Sequence, residues 1–313
     1  MANPHLGPVI SATPAAAVSP DAPLVAADQA RSRSLFRRGW EVFAENKLAL
    51  AGAGFVIFIL LFCFVGPHIY VTQQVTVTTS NTDCHPGLQH LLGCDDLGYD
   101  VLGRLMAGGQ NSLAVGLMAA FVSCLFGSLY GAVAGFAGGY VDALMMRFVD
   151  AMLSIPFIFV LIILAGLIHP NTFSMTGFIA LTYWPGPARL VRGETLSLRT
   201  REYVQAVRVV GGTRRRAILR HILPNSVGVI IVQATFAVAD SILILSSLGF
   251  IGFGIQPPQT DWGSMLSSGL TDINLGFWWL IYPAGLLIIV TVTSFNFIGD
   301  ALRDSFETRL QRR

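Results

Sequence analysis

The sequence predicts an all-α membrane protein with six transmembrane helices and both termini in the cytoplasm. Three observations carry that fold class. Of 313 residues, 53% are apolar and only 12% charged, whereas soluble domains average about 25% charged. Six apolar segments come close to the ~20 residues that a bilayer crossing needs. The basic residues are also unevenly placed. Nine arginines fall between Arg189 and Pro224, and no lysine or arginine occurs between Arg220 and Arg303. Basic loops stay on the cytoplasmic side, so this asymmetry orients the spans.

Residues 1–30 are rich in Ala, Pro, Ser and Val without periodicity, which predicts a disordered cytoplasmic tail. Residues 31–47 alternate five basic residues with Leu35, Phe36, Trp40, Val42 and Phe43. That pattern suits an amphipathic helix lying at the interface, its charged heads in water. The membrane domain then occupies 48–313. Its first span runs from Leu48 to Val65 and stops at Gly66-Pro67.

An outer loop, 66–111, follows. From residue 68 it holds four Asp and a single basic residue, Arg104. Cys84 and Cys94 lie in it, on the oxidising side, and a disulfide between them is the expectation. His85 and His90 fall between the two, which leaves a Cys/His metal site as the alternative, although the spacing matches no standard zinc module. Cys63 and Cys124 sit in apolar spans and read as packing residues.

The second span covers Ser112 to Gly135, where Gly131 and Gly135 form a Gly-x-x-x-Gly pair permitting close helix approach. The third runs from about Phe148 to Ile168. Asp150 lies at its inner end, either hydrated or paired with Arg147, and Pro156 predicts a kink. The fourth runs from about Thr172 to Leu190, with Pro185 and Pro187 disrupting its hydrogen bonding. The fifth covers Ser226 to Ser247 and contains Asp240. An intramembrane carboxylate is costly and faces a bundle interior or water. Asp240 therefore either lines a pathway, where it would meet a cationic substrate terminus, or bonds a neighbouring helix. An outer loop, 252–276, follows, in which Trp262 can anchor at the interface, and the sixth span runs from Phe277 to Ile298.

The cytoplasmic loop 191–224 is the most basic part of the chain. Glu202 to Val210 reads as one short helix and the residues after Thr213 as a second. Gly211 and Gly212 permit a left-handed backbone and a sharp turn between them. Thr213 can cap the second helix, and Pro224 marks the start of the next span.

These residues also resemble a known family. Gln205, Ala206 and Val207, then Gly211, then His221, Leu223 and Pro224 keep the spacing of the Glu-Ala-Ala loop of ABC importer permeases, with Gln205, Val207 and His221 departing from its usual residues. Trp184-Pro-Gly-Pro-Ala-Arg-Leu-Val-Arg-Gly193, Leu248 to Leu266 and Gly299-Asp-Ala-Leu-Arg-Asp304 are similar to blocks of the dipeptide/oligopeptide/nickel permeases, C-type subunit. Leu91 to Leu105 resembles a further signature of peptide-type permeases.

The resemblance implies a type I ABC importer permease fold and an ATP-driven importer of di- or oligopeptides. Permeases of nickel or glycopeptide importers are the alternative substrate class. It implies that Glu202, Gln205, Ala206, Val207, Gly211, Arg214, Leu223 and Pro224 couple to a cytoplasmic ATPase. Arg214, Arg215 and Arg216 would steer that docking or serve topology alone. Implied partners are a second homologous permease forming a heterodimer, two ATPase subunits or domains, an extracytoplasmic binding protein, the peptide and membrane lipid, with no nucleic acid. ATP and Mg would be bound by the ATPases, leaving this chain without catalytic residues, cofactor or metal.

Other function classes lack their residues. Lys47 is the only lysine and belongs to no Gly-x-x-x-x-Gly-Lys-Ser/Thr stretch, so no P-loop cradles phosphate here. Asp150 and Asp240, the pathway candidates, are the only carboxylates in the predicted spans, and no Ser/His, paired-Asp or His-Glu-x-x-His set accompanies them. The halves 48–168 and 172–298 show no internal repeat of the kind secondary transporters carry.

Overall fold

The structure, a computed structural model, describes residues 43–310 apart from 73, 75, 76, 78–81 and 169. The predicted tail 1–30 and most of the 31–47 helix lie outside the described residues. Helix α1, Lys47–Phe64, starts where the Asn46 side chain accepts from the backbone N–H groups of Leu48 and Ala49. One turn, α2 (Gly66–Ile69), begins with Pro67 in its first turn.

The central element is α3, Val101–Ala137, with 37 residues. At 1.5 Å per residue it is about 55 Å long, well beyond the ~30 Å hydrocarbon layer. It starts eleven residues before the predicted Ser112, so the outer loop is shorter than 66–111. Asp100 caps it by accepting from Gly103 N–H at 2.8 Å. Arg104, the single basic residue of the predicted loop, is buried: it lies 4.1 Å over the Tyr99 ring and donates to the Pro258 carbonyl at 2.8 Å.

Helices α4 (Gly139–Ser154) and α5 (Phe157–Leu167) meet at a 74° bend. Pro156 stands there as the N-cap of α5, so the expected kink is a full break. Helices α6 (Thr172–Tyr183) and α7 (Pro185–Leu198) join at Trp184. Helix α7 therefore continues well into the predicted 191–224 loop. Then come α8 (Glu202–Val209), α9 (Arg214–Ala217) and a π-helical turn, Ile218–Ile222, leading into α10, Leu223–Phe250. Helix α11 is Trp262–Thr271 and α12 is Tyr282–Leu310.

Among the described residues, four helical stretches are long and apolar enough to cross a membrane: Lys47–Phe64, Val101–Ala137, Arg214–Phe250 and Trp278–Phe306. The bent α4–α5 pair adds up to a fifth.

Helix α3 packs along α7 and α10, α10 along α12, and α12 along α1. The α3–α7 seam depends on small residues. A Cβ at Gly127, Gly131 or Gly135 would run into the carbonyl of Trp184, Ala188 or Arg192 respectively, so these glycines allow backbone-to-backbone contact. Trp262 is not an interfacial anchor. It is completely buried and donates from Nε1 to the Leu105 carbonyl at 3.0 Å, which ties α11 against α3.

Candidate functional site

Helix α7 carries the chain out of the bundle toward the basic loop, and three arginines fasten it. Arg192 forms a two-pronged pair with Asp142 of α4, Nε and one terminal nitrogen donating at 2.7 and 2.6 Å. Arg189 pairs with Asp150 at 2.6 Å. The partner of Asp150 is thus Arg189, three helices further along the chain, rather than Arg147. Arg199 donates to the Gly135 carbonyl at 2.9 Å. Fork geometry fixes orientation as well as charge, so α7 is held rigidly to α3 and α4.

The loop folds as two helices about a glycine turn. Val204 of α8 is completely buried and packs with Ala217, Ile218 and Ile222, and with Ala132 and Phe136 from the end of α3. One side of α8 is therefore sealed against the bundle. Its other side is open: Glu202, Ala206, Val209 and Val210 are exposed, Val209 at 86% and Val210 at 81%. The two valines are neighbours at the end of α8 and form an apolar patch on its open side.

At the turn, Gly211 adopts φ +75°, a conformation that favours glycine. Gly212 N–H donates to the Val207 carbonyl at 2.8 Å. Thr213 Oγ1 accepts from Arg216 N–H. Leu223 is half-buried and Pro224 exposed, both inside the first turn of α10. Pro224 cannot donate a backbone hydrogen bond. The π-helical turn just before it absorbs that deficit, and Asn225 Nδ2 donates to the His221 carbonyl. A cleft of about 580 Å³ separates the loop from the end of α3, lined by Phe136, Ala137, Arg199, Thr200, Gln205, Gly212 and Arg214. Gln205 and Arg214 thus face the same space. Gly212, Val209 and Val210 were not singled out from sequence as coupling residues. The conspicuous signal was two neighbouring valines at the end of a basic amphipathic helix.

The two pathway candidates do not meet. Asp150 lies with Arg189 and is exposed. Asp240 is half-buried on α10 and accepts from the Tyr183 hydroxyl at 2.5 Å. Tyr183, at the end of α6, carried no sequence signal.

Cys84 and Cys94 are joined, with S–S 2.06 Å. The closed loop packs on Trp279, which donates from Nε1 to the Cys94 carbonyl. Ligand atoms of Cys84, His90 and Cys94 lie within 4.8 Å of one another. Both sulfurs are committed to each other, however, and His90 Nδ1 to Asp100 at 2.9 Å, so a single ring nitrogen remains and the set does not fit a metal. Asp261 anchors the segment before α11, accepting from Ile255 N–H, Ser264 N–H and the Ser264 hydroxyl at 2.9, 2.9 and 2.7 Å. Its complete burial pushes its carboxyl above the ordinary range despite those donors.

Comparison with known proteins places this architecture. Residues 127–312 match the family described as binding-protein-dependent transport system inner membrane component. Residues 34–83 match the N-terminal TM domain of oligopeptide transport permease C. The chain is 40% identical over 283 residues to the oligopeptide transport system permease protein OppC of Haemophilus influenzae, covering 90% of this chain and 91% of that one. It is 37% identical over 281 residues to the dipeptide transport system permease protein DppC of Bacillus subtilis, covering 90% and 88%. It is also 37% identical over 285 residues to OppC of Escherichia coli K12, covering 90% and 93%. The matched region includes α7, the basic loop and α10, and the chain is a member of the family of binding-protein-dependent transport system inner membrane components.

Proposed function

We infer that this protein is the membrane-spanning permease subunit of an ATP-driven importer of di- and oligopeptides in the cell membrane. The observation that carries the reading is the docked loop of residues 199–224: one face sealed against the bundle, the other presenting Ala206, Val209 and Val210 outward. A surface fixed on one side and apolar on the other suits transmission of force from a partner. The peptide class rests on the names of the relatives.

The partner at that face is a pair of cytoplasmic ATPase subunits or domains, which bind ATP and Mg. This chain hydrolyses nothing itself. A second, homologous permease completes the pathway, and an extracytoplasmic binding protein delivers the peptide. The chain crosses the membrane six times, with α6 and the first part of α7 forming one crossing, and both ends lie inside. Closure of the ATPases moves α8, and the rigid α7–α3–α4 connection passes that motion to the spans, which alternate between outward and inward openings.

The test is peptide uptake into proteoliposomes holding both permeases, with and without the ATPases and the loaded binding protein. Uptake requiring all of them is the expected result. Uptake driven by an ion gradient without the ATPases would indicate a secondary transporter instead. Epitope tags at residues 10 and 310 should be reachable only from the cytoplasm, and probes in 68–100 and 256–275 only from outside.

A further inference from the structure

Helix α10 carries a polar stripe that this chain leaves uncovered. Ser226, Gln233, Asp240 and Ser247 recur every seven residues, so they fall on one side of the helix. Ser226, at the cytoplasmic end, is buried and bonded to the Ile222 carbonyl. The three deeper residues are open: Gln233 and Asp240 are half-buried and Ser247 is exposed. Gln233 has no hydrogen-bond partner among the described residues. The opposite side of α10, with Ile242 and Leu245, is completely buried in the apolar cores. The helix keeps its apolar face for its own bundle; Asp240 bonds across to Tyr183 of α6, the helix-to-helix bond that was one of its two expected roles, and its carboxylate and the Gln233 amide stay partly open. Hydrocarbon does not tolerate this: a carboxylate at mid-membrane costs about 3 kcal/mol even on the most permissive scales. The stripe must face protein or water.

Two further features fit a water-lined face. Asp240 has one partner, the neutral hydroxyl of Tyr183 on Oδ2. This orients the carboxylate without neutralising it, and no lysine or arginine lies between Arg220 and Arg303. Beside Tyr183 the helix is interrupted. Pro185 and Pro187 have no N–H to offer the carbonyls of Leu181 and Tyr183 four residues earlier. Backbone carbonyls freed at membrane depth are tolerated where they are buried in protein or line a cavity. A carboxylate without a cation and an amide without a partner lie on one side of α10, with the α6–α7 break next to the Tyr183 that holds the carboxylate.

We propose that Gln233, Asp240 and Ser247 line the translocation pathway, and that Asp240, held by Tyr183, receives the ammonium group of the passing peptide. Asp240 is the group that meets substrate, and Tyr183 is a positioning residue. This rests on the peptide-permease reading above. It adds to that reading a specificity residue outside the coupling loop.

The assembled complex in proteoliposomes tests it, using a chain with Cys63→Ala and Cys124→Ala and the 84–94 disulfide intact. Asp240→Asn should lower maximal peptide uptake at saturating binding protein about tenfold, the size of one lost charge-assisted hydrogen bond. ATPase stimulated by the binding protein should persist, Asp240→Glu should recover part of the uptake, and Tyr183→Phe should fall between. Asp240→Cys supplies a charge test. An anionic methanethiosulfonate reagent added from water should restore uptake, and a cationic one should abolish it. Gln233→Cys should react from water and be protected by peptide turnover. Equal uptake by wild type and Asp240→Asn would overturn the proposal. So would identical behaviour of the two adducts, or failure of both cysteines to react from water, which would assign the stripe to the interface with the second permease. If the unmodified chain shows no uptake dependent on the ATPases, the permease reading itself falls.

Discussion

Replacing Gly212 by alanine should uncouple the loop, and replacing its neighbour Gly211 should not. A Cβ built on Gly212 lies 2.5 Å from Val207 Cγ1 and 2.7 Å from the Val207 carbonyl oxygen. That oxygen is also the acceptor for Gly212 N–H at 2.8 Å. Alanine therefore cannot fit unless the last turn of α8 moves and the hydrogen bond opens, a loss of about 1 kcal/mol. The displaced turn carries Ala206, Val209 and Val210. At Gly211 the situation is reversed. Nothing lies within 4 Å of its Cβ, and the cost is backbone strain at φ +75°, about 1–2 kcal/mol. The two variants thus destabilise the loop by similar amounts, but only one shifts its docking face. Spin labels on α8 and on the end of α3 should report a changed distance in Gly212→Ala and an unchanged one in Gly211→Ala. Peptide uptake per ATP hydrolysed should fall in the first and hold in the second. Loss of coupling in Gly211→Ala with Gly212→Ala at wild-type level would refute the reasoning.

Three other outcomes are expected. Removing the outer staple by Cys84→Ser with Cys94→Ser should cost about 2–3 kcal/mol by loop-closure entropy, read as a lower melting temperature of the purified chain, and mass spectrometry of the unreduced wild type should show the linked peptides. Arg192→Lys keeps the charge but loses the fork to Asp142, so it should cost about 1–2 kcal/mol and lower uptake per ATP while leaving membrane insertion intact. Asp261→Ala removes the acceptor of all three donors and leaves the Ile255 and Ser264 N–H groups unpaired, costing about 1–3 kcal/mol. Because burial raises the folded-state pKa of Asp261, its favourable contribution is complete in acid and fades as pH climbs through that raised value. The variant's deficit, followed by thermal melts across pH, should therefore shrink toward neutrality, and a deficit that grew with pH would contradict the assignment.

Much of this was legible in the residues. The glycine pair at 211–212 with Thr213 behind it can hardly be read as anything but a turn between two helices. The small residues of α3 announced a close seam, which α7 fills. What was hidden depends on partners far away in sequence. Arg104 reads as a loop residue until Pro258 and Tyr99 are seen to satisfy it. Trp262 reads as an interfacial anchor until Leu105 is found at its Nε1. Asp150 is nearer in sequence to Arg147, yet the α7 register delivers Arg189. The Tyr183–Asp240 pair joins two elements whose contact no local pattern encodes. Charge and hydropathy periodicity report which side of a helix is wet, and they are silent on which neighbour a polar group finds.

The most direct test of the account is Ala206→Trp in the complete complex, with uptake and ATP hydrolysis measured on the same proteoliposomes. Ala206 is exposed on the open face of α8, so tryptophan disturbs nothing within the chain and acts only on what docks there. The account predicts normal insertion, with uptake lost through failure of the ATPases to associate or through hydrolysis that no longer responds to the loaded binding protein. Wild-type uptake with a full complement of ATPase bound would mean that force does not pass through residues 202–224.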